Sequence, residues 1–207
     1  MKKPFLLFLL TAGTTAAVHA QETRFGIKAG GTLSTFVGKD ATSTSGNKLG
    51  FHAGLVANLG LNDRLSIQPE LLYSMKGTKD EAAFGGANLT GYQTLHYLDV
   101  PVVLKAKFSQ LFLEVGPQAG VLIDAKATVE SGSNSTSQAN KATFNDVDLG
   151  YVLGLGFQAD SGPMVGFRYN GAFTNAPKSQ SFAGRSFQAQ ARNSALQLYI
   201  GFLFGGK

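Results

Sequence analysis

From Thr23 onward the chain alternates apolar with polar or small residues, the period of strands whose two faces meet unlike surroundings. In the first run Phe25, Ile27, Ala29 and Leu33 alternate with Arg24, Lys28 and Thr32. The second sets Leu49, Phe51, Leu55 and Leu59 against Lys48, His52 and Asn58, and the third sets Leu65, Ile67, Leu71 and Tyr73 against Gln68, Glu70 and Lys76. The fourth has Leu98, Val100, Val102 and Leu104 against Asp99 and Lys105, and the fifth has Leu111, Leu113, Val115 and Val121 against Glu114 and Gln118. The sixth has Leu149, Tyr151, Leu153 and Leu155 against Asp148, Gly154 and Gln158. The seventh has Val165, Phe167 and Tyr169 against Arg168 and Asn170, and the eighth has Leu196, Leu198, Ile200 and Phe202 against Gln197 and Tyr199. Each run is ~10 residues, long enough to cross an outer membrane at a tilt.

The connections alternate in length. Asn62-Asp63-Arg64, Phe108-Ser109-Gln110 and Ala159-Asp160-Ser161-Gly162 are tight turns by residue type. Between them, residues 37–47, 78–91, 124–143 and 175–192 read as long polar loops. Short turns on one rim and long loops on the other are the habit of outer-membrane barrels, whose short side is periplasmic. The pattern predicts an all-β fold: an eight-stranded antiparallel up-and-down transmembrane β-barrel with an N-terminal signal peptide.

Which face is apolar decides the solvent. A soluble lipocalin-like barrel points its apolar set inward. Here the polar set mixes Gly with full charges, whereas the apolar set is bulky, and an eight-strand interior barely holds its own side chains. Leu, Phe and Tyr on every strand would overfill it, so they are expected to face outward, which only lipid tolerates. Phe25, Phe157, Phe202 and Phe204 then lie near the periplasmic rim and Phe51, Tyr73 and Phe173 near the outer one, as interfacial girdles; Phe204 also resembles the terminal aromatic signal of inserted barrels.

The first twenty residues have a different design. Lys2 and Lys3 precede an apolar run from Phe5 to Leu10, which fades into Val18-His19-Ala20 before the polar Gln21. That is the layout of a secretory signal peptide, giving 1–20 as the leader and 21–207 as the barrel domain. The chain of 207 residues has no Cys, so disulfides, thiolate catalysis and Cys-ligated metals are excluded. A net charge of +5, scattered along the chain, does not mark a nucleic-acid binder.

Placed by height, Glu70, Asp99 and Glu114 fall near mid-barrel on neighbouring strands, with Lys28 and Arg168 across the lumen and Lys105 lower on the acidic side. Isolated charges there would be costly, so a paired, structural lumen network of Lys28, Glu70, Asp99, Lys105, Glu114 and Arg168 is expected. No catalytic, cofactor or metal site is expected. His52 points inward near the outer end of the second strand and would serve a hydrolase only beside a nucleophile and an orienting acid in a rim cleft. His96 reads as an interfacial polar residue. Lys178, Arg185 and Arg192 in the fourth loop make an anionic surface partner conceivable. Pro69, Pro101 and Pro117 fall inside strands, where each deletes a ladder donor, so bulges or missing bonds are expected at each.

Those prolines also carry a resemblance. Ile67-Gln68-Pro69-Glu70-Leu71-Leu72-Tyr73-Ser74-Met75-Lys76-Gly77 and Tyr97-Leu98-Asp99-Val100-Pro101-Val102-Val103-Leu104-Lys105 resemble the third- and fourth-strand motifs of the PorT-like outer-membrane β-barrel family of Bacteroidetes. Gly116-Pro117-Gln118-Ala119-Gly120, Asp148-Leu149-Gly150 with Gly154-Leu155-Gly156, and Arg168-Tyr169-Asn170 are similar to its later strands. The resemblance implies an outer-membrane location, makes the three prolines family features, and maps Glu70, Asp99, Lys105 and Arg168 onto inward polar positions. It implies no enzyme; the namesake takes part in protein secretion. The leading expectation is a small non-enzymatic outer-membrane barrel, structural or partner-binding through its loops, with the lipid bilayer, lipopolysaccharide or an envelope protein as partner. The rivals are a secretion-system component, an outer-membrane hydrolase or acyltransferase, and a soluble ligand barrel with the facing inverted.

Overall fold

The computed structural model describes residues 23–41, 45–84, 87–132, 134–182, 185–187 and 189–205; the expected leader, 1–20, lies outside them. Eight strands form the barrel: β1 (Thr23–Val37), β2 (Ser45–Gly60), β3 (Leu65–Phe84), β4 (Ala87–Phe108), β5 (Leu111–Ser131), β7 (Val147–Gln158), β8 (Pro163–Ala172) and β11 (Arg192–Leu203). Each pairs antiparallel with its neighbours, β11 with β1 and β4 with β5 completing the ring. A closed ring leaves no edge of unpaired amides, the condition for strands to stand in hydrocarbon. The remaining strands, β6 (Asn134–Ala139), β9 (Gln180–Phe182) and β10 (Arg185–Phe187), lie outside the ring, all on the rim of the long connections.

The facing follows the alternation. Leu198 and Ile200 are 62% and 69% exposed, whereas Arg168 and Glu70 are 0% and 3% exposed. The apolar set is outside and the ionised groups are at the axis, so the soluble-carrier alternative is set aside. Aromatic contacts on the outer face cluster at the two rims: Phe202 packs on Phe204 at one, and Phe51 on Tyr73 and Tyr151 on Phe173 at the other.

Two of the expected loops are strands. β3 and β4 stay paired out to Phe84 and Ala87, so residues 78–84 and 87–91 form a ribbon where a loop was expected. β5 runs on to Ser131 and folds back as β6, which takes up much of 124–143. The ladder of amide bonds sustains these extensions where few of the described side chains are buried, so no apolar period marks them in the sequence. The tight turns do follow residue type: Asn62 Oδ1 accepts the amides of Arg64 and Leu65 at 2.9 and 2.8 Å. Gly162 takes a positive φ of 118°, which a side chain would resist.

The prolines break the ladder without shifting it. Val56 pairs with Glu70 and Leu59 with Ile67, but the pairs between them, opposite Gln68 and Pro69, are missing. The same gap occurs on the β3 side of Pro101 and on the β4 side of Pro117. Each proline therefore lacks pairing toward the preceding strand and keeps it toward the next, where Pro69 faces Val102, Pro101 faces Gln118 and Pro117 faces Tyr151. A missing donor accounts for this. The register shifts lie elsewhere, toward the outer rim: β2 carries one extra residue between the pairs Asn47–Thr78 and His52–Ser74, and β5 forms a bulge of one residue between the pairs His96–Asp124 and Tyr97–Leu122. The β5 bulge turns both Leu122 and Ala125 inward, to pack with Leu95, Tyr97, Phe144 and Ala176 under the outer mouth. A second inward cluster, Val56, Phe112, Met164, Tyr199 and Leu203, lies toward the periplasmic end. The interior is thus less uniformly polar than the alternation suggested.

Candidate functional site

The centre of the lumen holds four charges that sum to zero: Lys28 on β1, Glu70 on β3, Glu114 on β5 and Arg168 on β8. Arg168 is the hub. Its Nη1 and Nη2 donate to the two oxygens of Glu70 at 2.9 and 3.0 Å, and its Nε donates to Glu114 Oε1 at 2.9 Å. This is the fork geometry that a lysine does not reproduce. Lys28 Nζ and Gln68 Nε2 each donate to Glu70 Oε1 at 2.7 Å, and the Tyr199 hydroxyl donates to Glu114 Oε1 at 3.0 Å. The same Tyr199 ring lies under Lys28 Nζ at 4.0 Å and faces the Arg168 guanidinium at 5.0 Å. All four charged side chains are fully buried.

The other two expected members stand apart. Asp99 is higher and pairs with Lys76 at 2.8 Å, a lysine that sequence reasoning placed on the inward face but did not nominate. Around them Asp148 accepts from Thr174 Oγ1 and Asn193 Nδ2 at 2.8 and 2.9 Å, and Asn193 also donates to the Tyr97 hydroxyl at 3.2 Å. Lys105 is lower. It faces Glu114 across the β4–β5 pair, but Arg168 and Tyr199 both bond Glu114 Oε1, and Lys105 makes no ion pair with that carboxylate. Lys105 Nζ instead reaches Gln158 Oε1 at 2.8 Å and Met164 Sδ at 3.8 Å, 3.8 Å above the Phe112 ring. No carboxylate among the described residues lies within ion-pair distance of it, so it stands beside the paired set.

Tyr199 and Gln68 were not singled out either. The signal for Tyr199 is a bulky residue of inward parity beside inward glycines. A Cβ on Gly166 would fall 2.5 Å from the Tyr199 hydroxyl, so that glycine is the room its ring occupies.

The lumen is filled. At the level of Lys76, Gln118, Asp148 and Asn170 the free space is about 10 Å3, less than a single water needs for comfort. His52 sits within this packing, 0% exposed, with Nδ1 at 3.0 Å from Thr32 Oγ1. No carboxylate contacts it among the described residues, so the arrangement a hydrolase would require is not assembled there. His96 belongs to the other face, where its Nδ1 lies 2.6 Å from the Tyr73 hydroxyl. No cluster of metal-ligating side chains occurs among the described residues.

An open hollow lies at each end of the barrel. At the outer rim Gly38, Lys39, Phe173, Asn175, Gln190 and Arg192 line a cleft of about 700 Å3 between the first and last connections. Of the three basic residues noted in the last connection, Arg192 opens β11 on this cleft and Lys178 pairs with Asp146 at 3.3 Å. The Arg185 side chain lies outside the described residues. At the periplasmic end a hollow of about 300 Å3 opens onto Lys105.

Residues 19–177 match the family described as outer membrane protein beta-barrel domain. The chain belongs to that family. An outer-membrane barrel protein is what the closed ring and the outward apolar band require, and the bacterial outer membrane is its location. Among solved structures, Ail, the attachment invasion locus protein of Yersinia pestis, in complex with the heparin analogue sucrose octasulfate, is 16% identical. Its alignment covers 88% of this chain and 99% of that one, with a TM-score of 0.49. Neisserial surface protein A is 14% identical over 88% and 99% of the two chains, with a TM-score of 0.47. No curated protein matches the chain.

Proposed function

We propose that this outer-membrane barrel is a closed, non-enzymatic membrane anchor whose extracellular strands bind a partner in the envelope. The observation that carries this reading is the contrast within single strands. β3, β4 and β5 are 20, 22 and 21 residues long, roughly twice a membrane crossing, and their outer halves form a sheet with β6. Their inner halves enclose ion pairs and leave no water column. A lumen network of Lys28, Glu70, Asp99, Glu114 and Arg168, with Lys76 added, serves as the barrel's core in this reading and performs no chemistry. Residues 1–20 serve as the export signal and 21–207 as the mature barrel domain.

The cleft at Lys39 and Arg192, with Asn175 and Gln190 beside them, favours an anionic, hydroxyl-rich group, as lipopolysaccharide presents in the outer leaflet. The alternative kept from the PorT-like motifs is a secretion-system component. It differs in outcome, since deleting the gene would then stop protein export while leaving surface adhesion and envelope integrity intact.

The test separates anchor from binding surface. A variant with 79–91 and 126–139 each replaced by a short turn, and with Lys39→Ala and Arg192→Ala in the cleft, is expected to insert and to shift on a heat-modifiability gel as the parent does. Crosslinking in native membranes is expected to capture an envelope partner with the parent and not with the shortened chain. Reconstituted in planar bilayers, both are expected to be non-conducting. Stable single-channel conductance of the parent, or equal partner capture by both chains, contradicts the reading.

A further inference from the structure

The periplasmic hollow joins a buried lysine that makes no ion pair to a set of cations that sequence distance conceals. Its lining brings Arg24 from β1, Arg64 from the β2–β3 turn, and Lys105 and Lys107 from β4, against Asp63 as the acid. At its inner end Lys105 is 2% exposed and holds an amide oxygen, a thioether and a ring face, none of which carries a charge. A lysine buried without an ion pair either gives up its proton or takes an anion, so an anion able to reach this one is bound together with the charge. The neighbouring acid does not relieve it: Asp160 is engaged at 2.6 Å by Lys107, whose hydrogen bond holds the Asp160 carboxyl below the usual carboxylate range. The Arg24 guanidinium donates to the carbonyls of Asp160 and Leu203 at 3.2 and 3.4 Å, which fixes a further positive charge at the same mouth. Asn58, Ser66 and Gln158 supply neutral polar groups along the walls.

From this geometry we infer that the periplasmic mouth of the barrel is a binding site for an oxyanion, a phosphate or carboxylate group, seated between Lys105 and Arg64. About 300 Å3 is the liquid share of about ten waters, ample for a phosphate or acetate that keeps part of its hydration. The closed lumen above makes the site a dead end, so the anion enters and leaves on the periplasmic side. This site stands apart from the extracellular reading: it lies at the opposite end of the barrel and survives that reading's failure.

The test uses the full mature barrel in neutral detergent, unfolded by heat while inorganic phosphate or acetate is titrated at constant ionic strength with chloride. Binding to the folded form alone raises Tm by about 3 °C or more once the anion exceeds ten times its dissociation constant. The site predicts that rise with phosphate, acetate or both, and the effective anion distinguishes a phosphoryl from a carboxylate ligand. Lys105→Met keeps the contacts with Phe112 and Met164, so this variant is expected to fold, to match or exceed the parent's Tm in chloride alone, and to show no oxyanion-dependent rise. Arg64→Ala, at an exposed turn, is expected to weaken the midpoint several-fold with the fold intact. A parent that responds to neither anion beyond chloride, or a Lys105→Met variant that responds as the parent does, overturns the inference.

Discussion

Replacing Arg168 by methionine is expected to destabilise the folded barrel by about 3–5 kcal/mol, the usual cost of breaking a buried ion pair from one side. The reason lies in what stays behind. Glu70 keeps Lys28 and Gln68, but Glu114 keeps only the Tyr199 hydroxyl, a neutral donor facing a buried charge. Removing that charge as well should repair most of the damage. In Arg168→Met with Glu114→Gln, Lys28 and Glu70 remain as a neutral pair, so the double variant is expected to be more stable than Arg168→Met alone. Urea midpoints in lipid vesicles, with heat-modifiability as the readout of folding, check both. If the single and double variants lose the same stability, the four charges do not act as a unit.

The outer face carries the second large effect. Leu198 sits halfway along β11, is 62% exposed, and pairs with Gly31 on one side and Phe167 on the other. Lipid is the solvent at that position. Leu198→Arg is therefore expected to cost about 2–4 kcal/mol, as a cation at the bilayer midplane does in such barrels. The comparison is Thr136→Arg on β6, a fully water-facing position, expected to stay within about 0.5 kcal/mol of the parent. In a soluble barrel an exposed arginine at 198 would cost no more than one at 136. Vesicle refolding yields and urea midpoints decide between the two.

The barrel was legible because burial imposes a period of two on every strand in the membrane. Phe25 to Leu33 and Leu196 to Phe202 alternate with few interruptions, and their facing followed from the volume the lumen could hold. The extracellular sheet was hidden for the same reason: from Lys79 to Glu81 and from Asn134 to Ala139 no side chain is buried, so pairing leaves no apolar trace. Within the lumen, parity identified which side chains point inward, but not which partner each finds. Asp99 was grouped with Glu70 and Glu114, yet the barrel's stagger lifts it to Lys76. Lys105 faces Glu114 across the ladder, yet Glu114 bonds the Nε of Arg168, whose Nη groups are held on Glu70. Such choices depend on reach across a closed cylinder, which spacing along a strand does not encode. The prolines show the converse. Pro69, Pro101 and Pro117 argued against strands locally, and closure of the ring held the register through all three gaps.

The absence of cysteine in all 207 residues makes one measurement direct. Single cysteines placed in turn at 195–202 on β11 and spin-labelled in lipid vesicles report contact with oxygen, which concentrates in hydrocarbon, against a water-soluble nickel chelate. The structure predicts high oxygen contact at 196, 198, 200 and 202, low contact with both reagents at 195, 197, 199 and 201, and a strict period of two. Nickel contact at the first set, or oxygen contact without alternation, would show that these side chains do not face lipid, and the outer-membrane barrel described here would be wrong.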